Sequence, residues 1–232
     1  MTFDPISHYL RETVVCVLKS YVTQKSNQLN KMSLQFTNPA SFVLSGPSGV
    51  GKTFFIFRFI DHIHQICPEI KKVLYHYEVW QDIFEKYEDK VSFSKGLPNL
   101  EALENAKDSL LILDDFMTDN LKFIAKIYSV YSHHYRFSVI TTIQNLFNPG
   151  VREISLNSKF IVIFKSVRDQ CQINYFLRQI YPKQSGEALK VYKDATSTAR
   201  GYLLIDLRCD TDQNERLRTC IFPGETNFVY TL

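Results

Sequence analysis

Residues 46–53 read GPSGVGKT, and they follow the short apolar run SFVLS. Gly46, Gly51, Lys52 and Thr53 fit the pattern G-x-x-x-x-G-K-[ST]. Each residue type has a physical task in such a loop. Glycines let the backbone curl until successive N–H groups point inward and cradle phosphate oxygens. A helix starting at the loop turns its positive end toward the same anion. A lysine at Lys52 reaches the β- and γ-phosphates, and a hydroxyl at Thr53 ligates Mg²⁺. The predicted cradle for ATP is therefore the stretch Gly46, Pro47, Ser48, Gly49, Val50, Gly51, Lys52, Thr53 and Phe54. The bland alternative is a Gly-rich turn that matches by chance, which a strand before and a helix after the loop argue against.

Such a loop needs an acidic partner at the tip of another buried strand, and SLLILDDF supplies one. Asp114 follows four apolar residues, so it falls at the carboxyl end of its strand, where ligands gather in sheets of this kind. Asp114 is assigned to Mg²⁺, directly or through water. Asp115 is placed to polarise an attacking water as general base. A solvated turn is the alternative for this pair. FSVITTIQN gives a further strand ending in Gln144. Gln144 either touches the γ-phosphate and reports whether the nucleotide is intact, or caps the next loop.

These residues need a frame. SFVLSG reads as a strand and 51–66 as a helix. KVLYHYE reads as a strand and VWQDIFEKY as helical. SLLILDD is a continuous apolar run, as expected of a strand buried on both faces. Residues 119–134 read as a helix, and FSVITTIQ and KFIVIFK as two more buried strands. QCQINYFLRQIY and GEALKVYKDA are helical, and GYLLIDL and RTCIF close the chain as strands. The alternation predicts an α/β fold, a mostly parallel sheet with helices on both faces, with the two last strands available as an antiparallel edge. Ile6, Leu10, Val14, Val17, Leu18 and Tyr21 recur at helical spacing. The organisation expected is thus an N-terminal helix and loop over 1–40, packed on a single P-loop ATPase domain over 41–232.

The chain has 232 residues, with 27 basic and 24 acidic side chains. That balance neither demands nor excludes a nucleic-acid partner. The five cysteines, Cys16, Cys67, Cys171, Cys209 and Cys220, form no CxxC pair and are read as reduced and mostly buried. The apolar run VVCVL is too short for a membrane span and lacks signal-peptide flanks, so a soluble intracellular protein is expected. His133 and His134 are adjacent on a predicted helix and face different directions, which argues against a metal site there. Trp80 reads as core before it reads as a base-stacking platform.

GPSGVGKT, LLILDDFMTD, SHHYRFSVITTIQNLF, ISLNSKFIVIFKSVRDQCQI and GYLLIDLRCDTDQNERLRTCIFP, taken in order over residues 40–223, resemble the DNA-packaging ATPases of the FtsK/HerA superfamily. The match is nearest to viral packaging ATPases and their relatives in Polinton/Maverick elements and adintoviruses. The resemblance implies a RecA-like (ASCE) sheet with the glutamine-bearing strand beside the P-loop strand. It implies an oligomeric ring that hydrolyses ATP and drives double-stranded DNA into a preformed capsid, at a host nuclear or cytoplasmic assembly site or in the virion. Carried over by motif, Lys52 and Thr53 bind nucleotide and metal, Asp114 binds metal and Gln144 is the sensor. The wider superfamily carries Glu where this chain has Asp115, a carboxylate with shorter reach. Such motors complete each site with an arginine from a neighbouring subunit. Arg136, before the sensor strand, and Arg168, after FIVIF, are the favoured candidates, with Arg152 a third.

Residues 159–218 hold 11 Lys plus Arg against 7 Asp plus Glu, and residues 81–119 hold 4 against 10. This is ordinary solvated surface, or the two complementary faces of a head-to-tail ring, or a basic portion facing DNA phosphates. No helix-turn-helix, zinc-finger or RNA-binding signature points to base reading. Two other readings compete. One is a nucleotide switch or assembly scaffold without translocation. The other is a small-molecule P-loop kinase, for which RQIYPKQSGEALK makes a poor lid.

Overall fold

The computed structural model describes residues 34–116 and 118–232. The helix expected over 6–22, and most of the proposed N-terminal segment, lie outside the described residues. Nine strands form one sheet: β1 (Ser41–Ser45), β2 (Lys72–Tyr77), β3 (Val91–Lys95), β4 (Ser109–Asp114), β5 (Ser138–Ile143), β6 (Phe160–Phe164), β7 (Tyr202–Asp206), β8 (Leu217–Thr219) and β9 (Phe228–Tyr230). Their order across the sheet is β3-β2-β4-β5-β1-β6-β7-β8-β9. The first six are parallel, and β7, β8 and β9 continue the sheet antiparallel.

The central strands are mostly apolar because both faces are covered, with polar side chains at their ends and at Thr141 and Thr142 of β5. Successive side chains point to opposite faces. Phe42, Leu44, Leu110, Ile112, Ile140 and Val162 enter one core layer. Val43, Leu111, Leu113, Val139, Ile161 and Ile163 enter the other. The first layer is closed by α1 (Lys52–Asp61) and the short α2 (Ile63–Ile66) through Phe55, Ile56, Phe59 and Ile66. On this side Phe36 packs edge-on against Phe42 and Phe160, with ring centroids 4.9 and 4.8 Å apart.

In the chain β3 and α3 (Leu100–Glu104) come between β2 and β4, and α3 adds Leu103 to the second layer. The second layer is closed by α4 (Leu121–Lys126), which passes through a π-helical turn at Ile127–Tyr131 into α5 (Ser132–His134), and by α6 (Arg152–Leu156), α7 (Gln170–Ile180) and α8 (Ser185–Ala195). Tyr128, from the π turn, contacts this core and donates to the Phe42 carbonyl, which ties the helical layer to β1.

Four details depart from the sequence reading. Asp82–Tyr87 forms a 3₁₀ helix, and β3 follows it where no strand was expected. RTCIF does not continue as a strand: β8 stops at Thr219, because Cys220 has φ 53, a left-handed backbone that breaks an extended run. The antiparallel edge therefore has three strands, with β9 as the outermost. Of the cysteines, Cys67 is buried and Cys171 and Cys209 are exposed. Trp80 is 40% exposed at the rim of a Tyr77–Phe84–Phe93 cluster, neither fully core nor free. Among the described residues no helix is long and apolar enough to cross a membrane.

Candidate active site

β1 runs directly into the GPSGVGKT loop, and α1 starts at Lys52. Gly46 has no room for a side chain, since a Cβ there would lie 2.8 Å from Phe164 Cβ. Its N–H donates to the Ile143 carbonyl at 3.2 Å, which fastens the start of the loop to the end of β5. Gly51 sits at φ 112 and forms the N-terminal cap of α1, a backbone only glycine takes without strain. Lys52 Nζ donates to the carbonyls of Gly46 and Pro47, at 2.5 and 2.9 Å. Burial lowers the Lys52 pKa, while Asp115 and Asp114 pull it back up. The loop thus holds its ammonium group over its own mouth, with both carboxylates within electrostatic reach. Thr53 follows in the first turn of α1.

Asp114 ends β4, two strands from β1, on the face of the sheet that carries α1. It is 5% exposed. Tyr75, from β2, donates its hydroxyl to Asp114 Oδ2 at 2.7 Å. Thr142, from β5, donates to Asp114 Oδ1 at 2.7 Å and accepts the Asp115 N–H at 2.8 Å. Burial raises the Asp114 pKa, and the two hydroxyl donors act against it. Asp115 is exposed and sits at φ 58, a left-handed conformation that Asp tolerates better than most side chains. The turn points successive carboxylates differently: Asp114 into a hydrogen-bonded niche, Asp115 toward solvent.

Ser45 pairs with Ile143, so Gln144 emerges beside Gly46, exposed on the lip of a small cleft shared with Ser45 and Asp169. β5 lies between β1 and β4, so Gln144 stands between the loop and the acidic pair.

The favoured arginines part company. Arg168 is exposed in the turn after β6, at the same end of the sheet as the loop. Arg136 precedes β5 and lies at the opposite, amino-terminal end. There it pairs with Glu69 at 3.4 Å and Asp108 at 3.8 Å, just before β2 and β4. Its carbonyl also accepts from Asn38 Nδ2 at 3.3 Å. Flanking a strand was not enough to put it near the GPSGVGKT loop, because in a parallel sheet the entry and exit of a strand face opposite ends. Arg152 opens α6 and is exposed.

Three residues escaped the sequence reading. Tyr75 and Thr142 hold Asp114 from strands on either side of it. A run of two threonines in an apolar strand was a usable signal, since the register sets Leu113 beside Thr141 and so Asp114 level with Thr142. Arg200 is the third. It precedes β7, whose first residue pairs with the last of β6, so it stands at the same end of the sheet as the GPSGVGKT loop. Its guanidinium lies 4.2 Å over the Phe54 ring, and its side chain is so close to Gly51 that a Cβ there would be 3.1 Å from Arg200 Cβ.

No protein-family model matches the sequence, and no curated protein aligns with it. Among solved structures, the chain is similar to the genome packaging NTPase B204 from Sulfolobus turreted icosahedral virus 2 in complex with sulfate, at a TM-score of 0.51 and 14% identity, covering 83% of this chain and 96% of that one. It is similar to the same NTPase in complex with AMPPCP at a TM-score of 0.50 and 15% identity, covering 87% and 98%. At such identity the likeness is one of fold. The nine-stranded, mostly parallel sheet with its antiparallel C-terminal strands is the fold this chain shares with that NTPase.

Proposed function

We infer that this chain hydrolyses ATP and uses the energy to move double-stranded DNA, packaging a viral or transposon-derived genome into a capsid. One observation carries the hydrolytic half. The Lys52 loop, Gln144 and the Asp114–Asp115 pair stand in a row on three adjacent strands, β1, β5 and β4, at one end of the sheet. Support for the packaging half is the five-block resemblance together with the fold shared with a viral genome packaging NTPase.

The residues present fit ATP and Mg²⁺. Thr53 and Asp114 are hard oxygen donors on the same side of the sheet, and each Asp114 oxygen has its hydroxyl partner yet keeps a lone pair free. Bound there, Mg²⁺ would supply charge neutralisation of the phosphates. Lys52 would leave the Gly46 and Pro47 carbonyls and donate to the phosphates. Asp115, exposed beside this niche, would accept a proton from the attacking water, and Gln144 would orient that water or read the γ-phosphate. Arg168 is the better placed arginine for a neighbour's site in a homo-oligomeric ring. DNA would be held through its backbone, independent of sequence. Capsid protein is the remaining partner.

The test is steady-state ATP hydrolysis with and without linear double-stranded DNA, beside Lys52→Ala. Turnover that DNA raises severalfold and Lys52→Ala abolishes supports the motor. Turnover indifferent to DNA across salt concentrations removes the packaging role. DNA-free oligomers that bind ATP without turnover favour the scaffold.

A further inference from the structure

A cavity of about 670 Å³ opens beside the nucleotide loop, and no sequence motif marks it. Its walls come from the start of α1 (Gly51, Phe54), from the approach to β7 (Arg200) and from the chain beyond β8 (Phe222). Its position is telling. The acidic pair lies on β4, to one side of β1, so the γ-phosphate end of a bound triphosphate would face that way. The rest of an extended nucleotide must then lie on the opposite side of β1, the side on which the sheet continues to β7 and β8, whose Tyr202 and Thr219 line the cavity.

Its chemistry suits a planar aromatic ligand with a polar edge. Phe54 is a large aromatic side chain left 41% exposed, one residue past Thr53. The Arg200 guanidinium stacks on it and is itself exposed at the cavity wall. Arg200 is fixed on a left-handed backbone, φ 60, against Gly51. Deeper in, Arg58 pairs with Glu225 and covers the Phe222 ring at 4.7 Å, while Tyr230 donates to Asp194 at 2.7 Å. Mostly apolar walls with a few placed polar groups are the usual surroundings of a small ligand.

We propose that this cavity receives the base and ribose of the nucleotide whose phosphates the Lys52 loop holds, with the Arg200 guanidinium as the stacking surface and Phe54 as its backing. The assignment rests on the nucleotide-binding reading above but not on DNA movement. It makes Arg200 a determinant of nucleoside recognition, distinct from the phosphate-binding lysine.

Titration calorimetry on the full chain separates the two ends of the ligand, using ATP and inorganic tripolyphosphate as probes. The variants are Arg200→Ala and Ser197→Trp, the latter an exposed wall position where a bulky ring fills the space without emptying the core. Circular dichroism checks that both are folded. Each variant is expected to weaken ATP by about three- to tenfold while leaving tripolyphosphate within about twofold, the size of a stacking or cation–π contact. Equal losses for both probes would mean that Arg200 contacts phosphate, and unchanged ATP affinity would empty the cavity of its role; either overturns the proposal. So does a wild-type chain that binds both probes equally well, which leaves the phosphate loop intact. A wild-type chain that binds neither overturns the nucleotide reading as well.

Discussion

Tyr75 donates to Asp114 across 2.7 Å on one face of the sheet, from a strand on the far side of β4 from the GPSGVGKT loop. The bond fixes one oxygen of the proposed metal ligand, and Thr142 fixes the other. Tyr75→Phe keeps the ring in its aromatic cluster and removes only this donor. Stability is expected to fall by about 1–3 kcal/mol, the range for losing a hydrogen bond to a buried charged group. Turnover should drop by roughly tenfold, since a metal ligand deprived of its outer partner typically loses 10–100-fold. Denaturant unfolding and ATPase assays read the two effects separately.

Asp115 is exposed and outside that niche, so its loss should leave the fold alone. Asp115→Asn is expected to lower kcat by about 10²–10⁴-fold, the usual contribution of a positioned general base, with unfolding midpoints unchanged. ATP affinity, measured by titration, should stay near the wild-type value. A variant that turns over normally would remove Asp115 from the chemistry.

Asp114 makes stability depend on pH in a definite direction. Burial holds its carboxyl above the usual carboxylate range, so the folded chain keeps a proton there at pH values where the unfolded chain has lost it. Stability from this group is therefore highest at acid pH and falls as pH rises from the unfolded value through the folded one. Asp114→Asn removes the titration. Relative to this variant, the wild type should lose stability on going from acid to neutral pH, while the variant loses turnover. Thermal melts across that range, without nucleotide or metal, give the comparison.

The two arginines predict opposite outcomes. Arg136 has a side chain 58% exposed at the end of the sheet away from the loop. Arg136→Ala should cost at most about 1 kcal/mol of stability, as screened surface pairs do, and leave ATP turnover unchanged. Arg168→Ala should leave stability unchanged and reduce turnover of the assembled protein. Measuring both variants for melting and hydrolysis settles which one serves a site.

Gly51 offers a steric test. At φ 112 an alanine is strained, and its Cβ would press on Arg200 at 3.1 Å. Gly51→Ala should destabilise the chain by about 1–3 kcal/mol and weaken nucleotide binding, measured by unfolding and titration.

How far the sequence could be read depended on burial and distance. β1, β4, β5 and β6 stood out because both their faces are covered, so their residues are apolar or small, with Asp114 at the tip of β4 the exception. β3 escaped because it is an edge strand with the half-polar sequence VSFSK, which leaves most of its side chains partly or fully exposed. β9 is only three residues long. The loop and Asp114 were legible because a local pattern defines each. Tyr75 was not, since its role depends on a partner 39 residues away. Thr142 depends on one 28 residues away. Arg136 looked well placed because adjacency to a strand says nothing about which end of the sheet the residue occupies.

The strand that carries the GPSGVGKT loop also sets an order of events in synthesis. β1 leaves the ribosome before both of its neighbours in the sheet, β5 and β6, which lie about a hundred residues later in the chain. Until Phe164 has emerged, β1 lacks a partner on one side, and Gly46 lacks the Phe164 wall against which the loop is folded. Contacts so distant in sequence form late and leave apolar strands uncovered meanwhile. A nascent chain halted before β6 would thus carry the whole GPSGVGKT motif without the Phe164 side chain that packs against its first glycine.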